Sequence, residues 1–456
     1  MTRKPLAPSG LGTSGVRVSQ PAPVRQPVRQ PVRQPVPAAT EATATQSVVR
    51  AALPGPSGPG TAGLLITRPS PPRPSPSPSQ PQPPSPSPSA SAARGRAGQG
   101  QAGLPGPGLP PGPVLAARPG LGPLEAYVPL PYAEREWGDG SYPPLYAPVT
   151  ARIDERLGAV VNDRLVAWAR EVGIYADQLD KFRDAGFGRL AMLTHADTDN
   201  PDRLLLAARM NAAWWAADDY YADETSLGAT PTELPPRLAL VMSAMDPPPA
   251  AGPYTAPLEE AIESDPVLVA LRSAVSHLTE HATPAQVMRA CNTTFQMYVS
   301  WAAYAAWRYL KTLPSAWRYL AARQHDSFYT SMVLIDIVGG YELSANTFYE
   351  RRFHKALMQA GTASVIVNDL YSVAREAADE LPDSNLVLLI AAEEKISVKD
   401  ATSRVVALHN DFVRGFEASQ RELMAVPSSD LHRFLRGAQA WMAGGIEWHG
   451  SSDRYR

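Results

Sequence analysis

The chain has 456 residues, of which 44% are hydrophobic and 19% charged, and a formal charge of −2 at pH 7. That length suits one large domain or two to three ordinary ones. The single cysteine, Cys291, excludes an intrachain disulfide and a cysteine-rich zinc site, and no uninterrupted apolar run reaches the ~18 residues of a membrane span.

Composition divides the chain. From Met1 to about Gly122 it is dominated by Pro, Ser, Gly, Gln, Ala and Arg, and eleven arginines plus Lys4 stand against one acid, Glu41. Such a stretch cannot bury enough apolar surface to offset its ordering entropy, so residues 1–122 are expected to be a disordered tail. Within it, "PVRQPVRQPVRQPV" (23–36) suits polyproline II, and "RPSPPRPSPSPSQPQPPSPSPS" (68–89) suits a semi-extended spacer. The opening "MTRKPLAPSG" has no apolar core of a secretory signal, which points to a soluble cytoplasmic protein. The tail arginines are spread singly among prolines without aromatics, so nucleic acid is not an expected partner. "SGLGTSG" (9–15) and "SGPGTAG" (57–63) share S-G-x-G-T-x-G, and "LPGPGLPPGP" (104–113) is a looser echo. Short motifs repeated along a flexible linker suit multivalent docking; compositional chance in a Gly/Ser-rich segment is the alternative.

From roughly Leu124 the pattern becomes helical. Apolar residues recur at helical spacing in "DRLVAWAREVGI" (163–174), "LLLAARMNAAWWAADDYY" (204–221), "PAQVMRACNTTFQMYVSWAAYAAWRYL" (284–310) and "DATSRVVALHNDFVRGFEASQRELM" (400–424). The Pro-rich "DPPPAAGPYTAP" (246–257) separates two of them. Thr283 reads as an N-cap, with Pro284 at the first helical position. Residues 123–456 are therefore predicted to form one all-α assembly. Cys291 and the run Tyr298, Trp301, Tyr304 and Trp307 read as core.

"AADDYYADE" (216–224) places four acids directly behind Trp214 and Trp215. On a continuous α-helix, Trp214 and Asp218 share a face, as do Trp215, Asp219 and Asp223. The helix body would line an apolar pocket and its C-terminal end would reach the mouth. Clustered carboxylates are tolerable if solvated, or if a hard divalent cation such as Mg²⁺ neutralises them. The segment alone leaves both readings open. A second stretch, "VNDLYSVAREAADE" (367–380), stacks Asn368, Ser372 and Glu376 at i, i+4 and i+8 behind another apolar helix body. Two segments with apolar residues below and oxygen ligands at the rim favour the metal reading.

These motifs resemble those of the class I terpene cyclases. "DDYYAD" resembles their aspartate-rich motif, and "NDLYSVARE" matches (N/D)Dxx(S/T)xxxE at every defining position. "RQHDS" (323–327) lies 45 residues before Asn368, where bacterial members carry a diphosphate-sensing arginine and a linker aspartate. "WMAGGIEWHGSSDRY" (441–455) is similar to their closing Arg-Tyr signature. The resemblance implies the helical class I terpenoid synthase fold, three Mg²⁺ ions and a prenyl diphosphate. It makes Asp218 the metal ligand of the first motif, with Asp219 behind it meeting Arg454 in the closed state. Asn368, Ser372 and Glu376 would hold another Mg²⁺. Arg323, Arg375, Arg454 and Tyr455 would contact the diphosphate, and Asp326 and Ser327 would couple sensing to the reacting carbons. Trp214, Trp215 and Trp441 would form an aromatic cage. Three residues, not two, separate Asp219 from Asp223, which leaves Asp223 and Glu224 unassigned.

Further stretches narrow the resemblance: "YLAARQ" (319–324), "VGGYELS" (338–344), "IVNDLYS" (366–372), "HNDFVRGFEA" (409–418) and "LHRFLRG" (431–437). They are similar to an actinobacterial branch whose substrate is 2-methylgeranyl diphosphate, supplied by an upstream methyltransferase. The implied reaction is ionisation, closure to a bicyclic cation and water capture, giving 2-methylisoborneol. Loss of a proton to 2-methylenebornane, a sesquiterpene cyclase acting on farnesyl diphosphate, and a non-catalytic prenyl-diphosphate-binding protein are the alternatives. A chain-elongating prenyltransferase would carry two aspartate-rich motifs. Pro-rich tails in this branch are associated with loading into encapsulin shells, so residues 1–122 are expected to be a cargo-loading tail for an encapsulin nanocompartment. A homodimer is compatible with the reading.

Overall fold

The computed structural model describes residues 127–222, 230–377 and 385–452; the tail expectation for 1–122 lies outside them. The first described element is one that helical periodicity did not predict. Strand β1 (Tyr132–Arg135) pairs antiparallel with β2 (Leu145–Pro148), with Tyr132 opposite Pro148. A lone hairpin is marginal in water, and this one is strapped to helices from the far end of the chain. Tyr146 N–H donates to Asn410 Oδ1 at 2.7 Å, Asn410 Nδ2 donates to Pro144 O at 3.1 Å, and Leu130 N–H donates to Gln439 Oε1 at 2.8 Å.

Helices make up almost all the rest. The first set is α1 (Glu155–Val172), α2 (Leu179–Ala185), α3 (Phe187–Thr194) and α4 (Pro201–Ala217), the last extended by a π-helical turn over Asp218–Ala222. Next come α5 (Leu234–Met245), α6 (Thr255–Glu263), α7 (Pro266–Thr279) and α8 (Pro284–Tyr309). The short α9 (Ala316–Arg323), α10 (Tyr329–Met332), α11 (Ile335–Gly339) and α12 (Ala345–Phe348) lead into α13 (Arg351–Glu376). Finally α14 (Leu386–Glu394), α15 (Val398–Leu423) and α16 (Ser429–Ser451) complete the assembly.

The four helices expected from periodicity are present as α1, α4, α8 and α15. Helix α1 stops before the predicted Ile174 because Gly173 takes the left-handed conformation, φ 85°, that glycine adopts without steric cost. Thr283 caps α8 as expected, and Gln286 completes a reciprocal capping box. Helix α13 is buried from Ala360 through Val367, whereas α15 buries a single stripe that includes Val405, Val413 and Phe416. So α13 is the axis of the bundle, with α15 and α16 packed on it.

Two glycines bring backbones together. A Cβ on Gly188 of α3 would lie 2.3 Å from Asn162 N of α1, and one on Gly444 of α16 would lie 2.7 Å from Leu193 O of α3. Helices α1, α3 and α16 therefore touch main chain to main chain. Deeper in the core, Arg289 and Asp336 form an ion pair at 3% and 0% side-chain exposure. Among the described residues no helix is long and apolar enough to cross a membrane.

Two buried imidazoles make the fold acid-sensitive. Burial holds His195 down to about 3 and His409 to about 4, from an ordinary 6.5. The unfolded chain takes up protons below 6.5 that the folded chain refuses, so their contribution is complete above that value and is lost as pH falls toward 3. Each imidazole that stays neutral while its unfolded counterpart is charged costs up to about 1.4 kcal/mol for every step of one in pH. Melts between pH 7 and 4 are therefore expected to lose a few kcal/mol of stability. His409→Asn should flatten that slope.

Candidate active site

Helix α4 is buried along most of its length and then changes register at Asp218, whose N–H lies within reach of both Trp214 O and Trp215 O. A π-turn fits more residues per turn than an α-turn, and such turns occur often at functional sites. The α-helical face predicted to carry Trp215 on to Asp219 therefore ends at Ala217. Both aspartates sit at the negative end of the α4 dipole, which disfavours carboxylates by roughly 0.3–1 kcal/mol each. This position works against helix stability and is suited to holding a cation. Asp219 Oδ2 accepts from Tyr175 OH at 2.6 Å, and Tyr175 itself has φ 54°, a strained value for a non-glycine residue. Arg308 of α8 donates to Ala222 O at 3.0 Å and ties down the end of the turn. Asp223 and Glu224 lie outside the described residues, as do Arg454 and Tyr455.

The second motif forms the end of α13. Ser372 Oγ donates to Glu376 Oε2 at 3.0 Å, and Asn385 Nδ2 donates to the same oxygen at 2.7 Å. Asn368 Oδ1 accepts from Arg323 Nη2 at 2.9 Å. Arg323 is the hub of the cluster. It also donates to Asp369 Oδ1 at 2.8 Å and to Asp326 Oδ2 at 2.8 Å. Asp369, 1% exposed, accepts further bonds from Tyr319 OH and Leu386 N–H. Arg375 is exposed and reaches Glu376 Oε1 at 3.1 Å.

The electrostatics follow from burial. Burial pushes the Glu376 carboxyl up, Asp369 adds to the rise, and Asn385, Arg375 and Arg323 oppose it. Burial also raises Asp369, against the pull of Arg323. For Arg323, burial works against the charge, but Asp369, Tyr319 and Asp326 outweigh it and hold the guanidinium firmly protonated. Three oxygen-bearing side chains on one face, with Ser372 and Glu376 already in contact, make a donor set suited to Mg²⁺.

The three tryptophans expected in the cage take different positions. Trp215 stacks on Phe328 with centroids 5.9 Å apart, and Phe328 packs on Trp441 at 4.9 Å. Phe187 and Trp448 contact Trp215 at 5.1 and 5.9 Å. Trp214 is held elsewhere: its indole, 4% exposed, donates to Thr294 Oγ1 of α8 at 3.0 Å. Ser327 Oγ is engaged locally, donating to Gln324 O at 2.8 Å.

The ring group connects the two motifs. Trp215 touches Phe328, Phe328 touches His449 at 5.9 Å, and His449 Nε2 lies 3.3 Å from Asn368 Nδ2. Sequence reasoning missed Phe328, Phe187, Trp448, His449, Tyr319, Tyr175 and Asn385. Phe328 directly follows "RQHDS", and Trp448 and His449 stand inside the closing signature, so adjacency could have found those three. Tyr175 has no such marker. Trp301 and Tyr304 are buried as a core run should be, yet Trp301 Nε1 donates to Asp326 Oδ1 at 3.1 Å, and the Tyr304 hydroxyl also feels that carboxylate.

Residues 209–415 match the family described as "Terpene synthase family 2, C-terminal metal binding". Over 309 residues the chain is 35% identical to the 2-methylisoborneol synthase of Streptomyces ambofaciens, covering 67% of this chain and 69% of that protein. The bonnadiene synthase of Allokutzneria albata is 25% identical over 319 residues, 69% of this chain and 85% of that one. Among solved structures, 2-methylisoborneol synthase from Streptomyces coelicolor A3(2), crystallised with Mg²⁺ and 2-fluoroneryl diphosphate, superposes with a TM-score of 0.66 at 32% identity, covering 68% of this chain and 97% of that one.

The chain belongs to the class I terpene synthases. It is a terpene cyclase, a lyase acting on a prenyl diphosphate, and within that family it is similar to the 2-methylisoborneol synthases.

Proposed function

We propose that this cyclase converts 2-methylgeranyl diphosphate to 2-methylisoborneol. The reading is supported above all by the 35% identity to a 2-methylisoborneol synthase across 69% of that protein's length. Asp218, with Asp219 behind it, and Asn368, Ser372 and Glu376 would hold three Mg²⁺ ions between them. When bound, magnesium neutralises the charge that develops on the departing diphosphate. Arg323 and Arg375 would bring guanidinium charge toward the same oxygens, and Arg454 and Tyr455 would complete the contacts. Asp326 fixes the Arg323 fork from behind, and Ser327 begins the turn that presents Phe328. The ring group excludes water, and each well-placed desolvated ring stabilises positive charge by about 0.5–2 kcal/mol. A methyltransferase acting on geranyl diphosphate would supply the substrate.

The test is direct. Purified protein with Mg²⁺ is given geranyl, 2-methylgeranyl or farnesyl diphosphate, and volatiles are read by gas chromatography. Fastest turnover of 2-methylgeranyl diphosphate to the bicyclic alcohol is expected. A preference for farnesyl diphosphate would overturn the substrate, and 2-methylenebornane as main product would overturn the water capture. Trp215→Ala and Phe328→Ala should raise the share of acyclic and monocyclic alcohols severalfold, because they open the ring stack to water. A smaller shift is expected for Trp214→Ala, whose indole is held against α8.

The S-G-x-G-T-x-G repeat of the tail supports a second role, docking to an encapsulin shell. Removing residues 1–122 should abolish co-purification with the shell protein and leave turnover intact. Survival of co-purification would refute it.

A further inference from the structure

An asparagine binds a hard cation only through Oδ1, because its NH₂ group is a donor. The two ends of a carboxamide have nearly the same shape, so the surroundings must choose the orientation. Around Asn368 they do. His449 Nδ1 lies 2.7 Å from Gly445 O, and a carbonyl oxygen only accepts. In the neutral imidazole Nδ1 then carries the proton, and Nε2 presents a lone pair. That lone pair lies 3.3 Å from Asn368 Nδ2, while Arg323 Nη2, which only donates, lies 2.9 Å from Oδ1. A flipped amide would set donor against donor at Arg323 and acceptor against acceptor at His449. His449 is 2% exposed and sits on α16, so a different helix sets the orientation of a group on α13.

The other two oxygens of the motif are held in the same manner. Asn385 is fully buried at the N-cap of α14. Its Oδ1 accepts from Val387 N–H at 2.9 Å and Leu388 N–H at 3.4 Å, so it is committed to the helix start. Its Nδ2 is thereby turned to α13, where it donates to Asp369 O at 2.8 Å, Glu376 Oε2 at 2.7 Å and Ser372 Oγ at 3.3 Å. An N-cap asparagine whose amide also spans two candidate ligands does more than start a helix.

We propose that His449 and Asn385 are positioning residues that hold the Asn368, Ser372 and Glu376 side chains in ligand orientation before an ion arrives. The proposal rests on the reading of those three residues as magnesium ligands. Outer partners of this kind typically change metal affinity about 10- to 100-fold when removed.

The test uses the full chain, with Mn²⁺ binding in the presence of inorganic diphosphate followed by electron paramagnetic resonance, and the Mg²⁺ dependence of turnover alongside. His449→Phe removes the acceptor, and Asn385→Ser keeps a capping oxygen but withdraws the amide donor. Each is expected to raise the Mn²⁺ Kd and the half-saturating Mg²⁺ concentration about 10- to 100-fold. His449→Gln, which can still offer an oxygen to Asn368, should recover most of the affinity. Thermal melts identify any variant that fails to fold, and the remaining variants then decide. Wild-type Mn²⁺ affinity in folded His449→Phe and Asn385→Ser, alongside weakened binding in Asn368→Ala, would overturn the positioning role alone. Wild-type affinity in Asn368→Ala would overturn the ligand reading and the positioning role together.

Discussion

Asn368→Ala and Glu376→Ala are expected to lower turnover by at least about two orders of magnitude while the domain stays folded. Losing one preorganised group that stabilises developing charge costs about 10²–10³ in rate, and both residues lie in a single oxygen-lined rim. The fold has little reason to fail. Glu376 accepts from Ser372 and Asn385, and Asn385 keeps Asp369 O and the α14 cap when that carboxylate is gone. Glu376→Gln should separate the two properties further. Burial disfavours the Glu376 charge, so a neutral amide removes a cost that the ligand-free fold bears. Melting temperature should then hold or rise while activity is lost, the signature of a site built for function at the expense of stability. A melting temperature several degrees lower, or near-normal turnover, would count against the assignment.

Arg323→Met should be the most destabilising change near the site. It leaves Asp369, 1% exposed, as a buried carboxylate without its ion-pair partner, and it also strips Asp326 and Asn368 of a donor. Breaking such a pair costs about 3–5 kcal/mol, most of it the stranded charge. Asp369→Asn combined with Arg323→Met should therefore regain much of that loss in a denaturant melt, since no buried charge remains. Turnover should not return, because the guanidinium proposed to meet the diphosphate is still missing. Arg323→Lys should lie between the two, retaining the charge and losing the fork that serves Asn368, Asp369 and Asp326 at once. Additive effects in the Arg323–Asp369 cycle would contradict the coupling.

Much of this arrangement is legible in the sequence. The helices over 204–221 and 284–310 follow from apolar spacing, Thr283 from its capping chemistry, and the rim of Asn368, Ser372 and Glu376 from a strict four-residue step. What stays hidden depends on tertiary contact. The hairpin at Tyr132–Pro148 is held by Asn410, far along the chain, and has no strong local signal. The π-turn at Asp218 breaks a face that α-periodicity takes to be continuous. Trp214 and Trp215 look alike in sequence, and only packing assigns one to Thr294 and the other to Phe328. Asn385 looks like an ordinary cap because its second role is played by the opposite end of a small amide.

The glycine contacts at Gly188 and Gly444 hold α1, α3 and α16 main chain to main chain beside the ring group. Where main chains touch, no side chain remains to be trimmed, swollen or slid aside. Phe187 and Trp448 are mounted on those two helices, as on a cast plate. A change in product on this scaffold would come from exchanging the fittings, Trp215 and Phe328 first among them, and not from flexing the plate. Replacing either glycine would warp the mould before it could retune it.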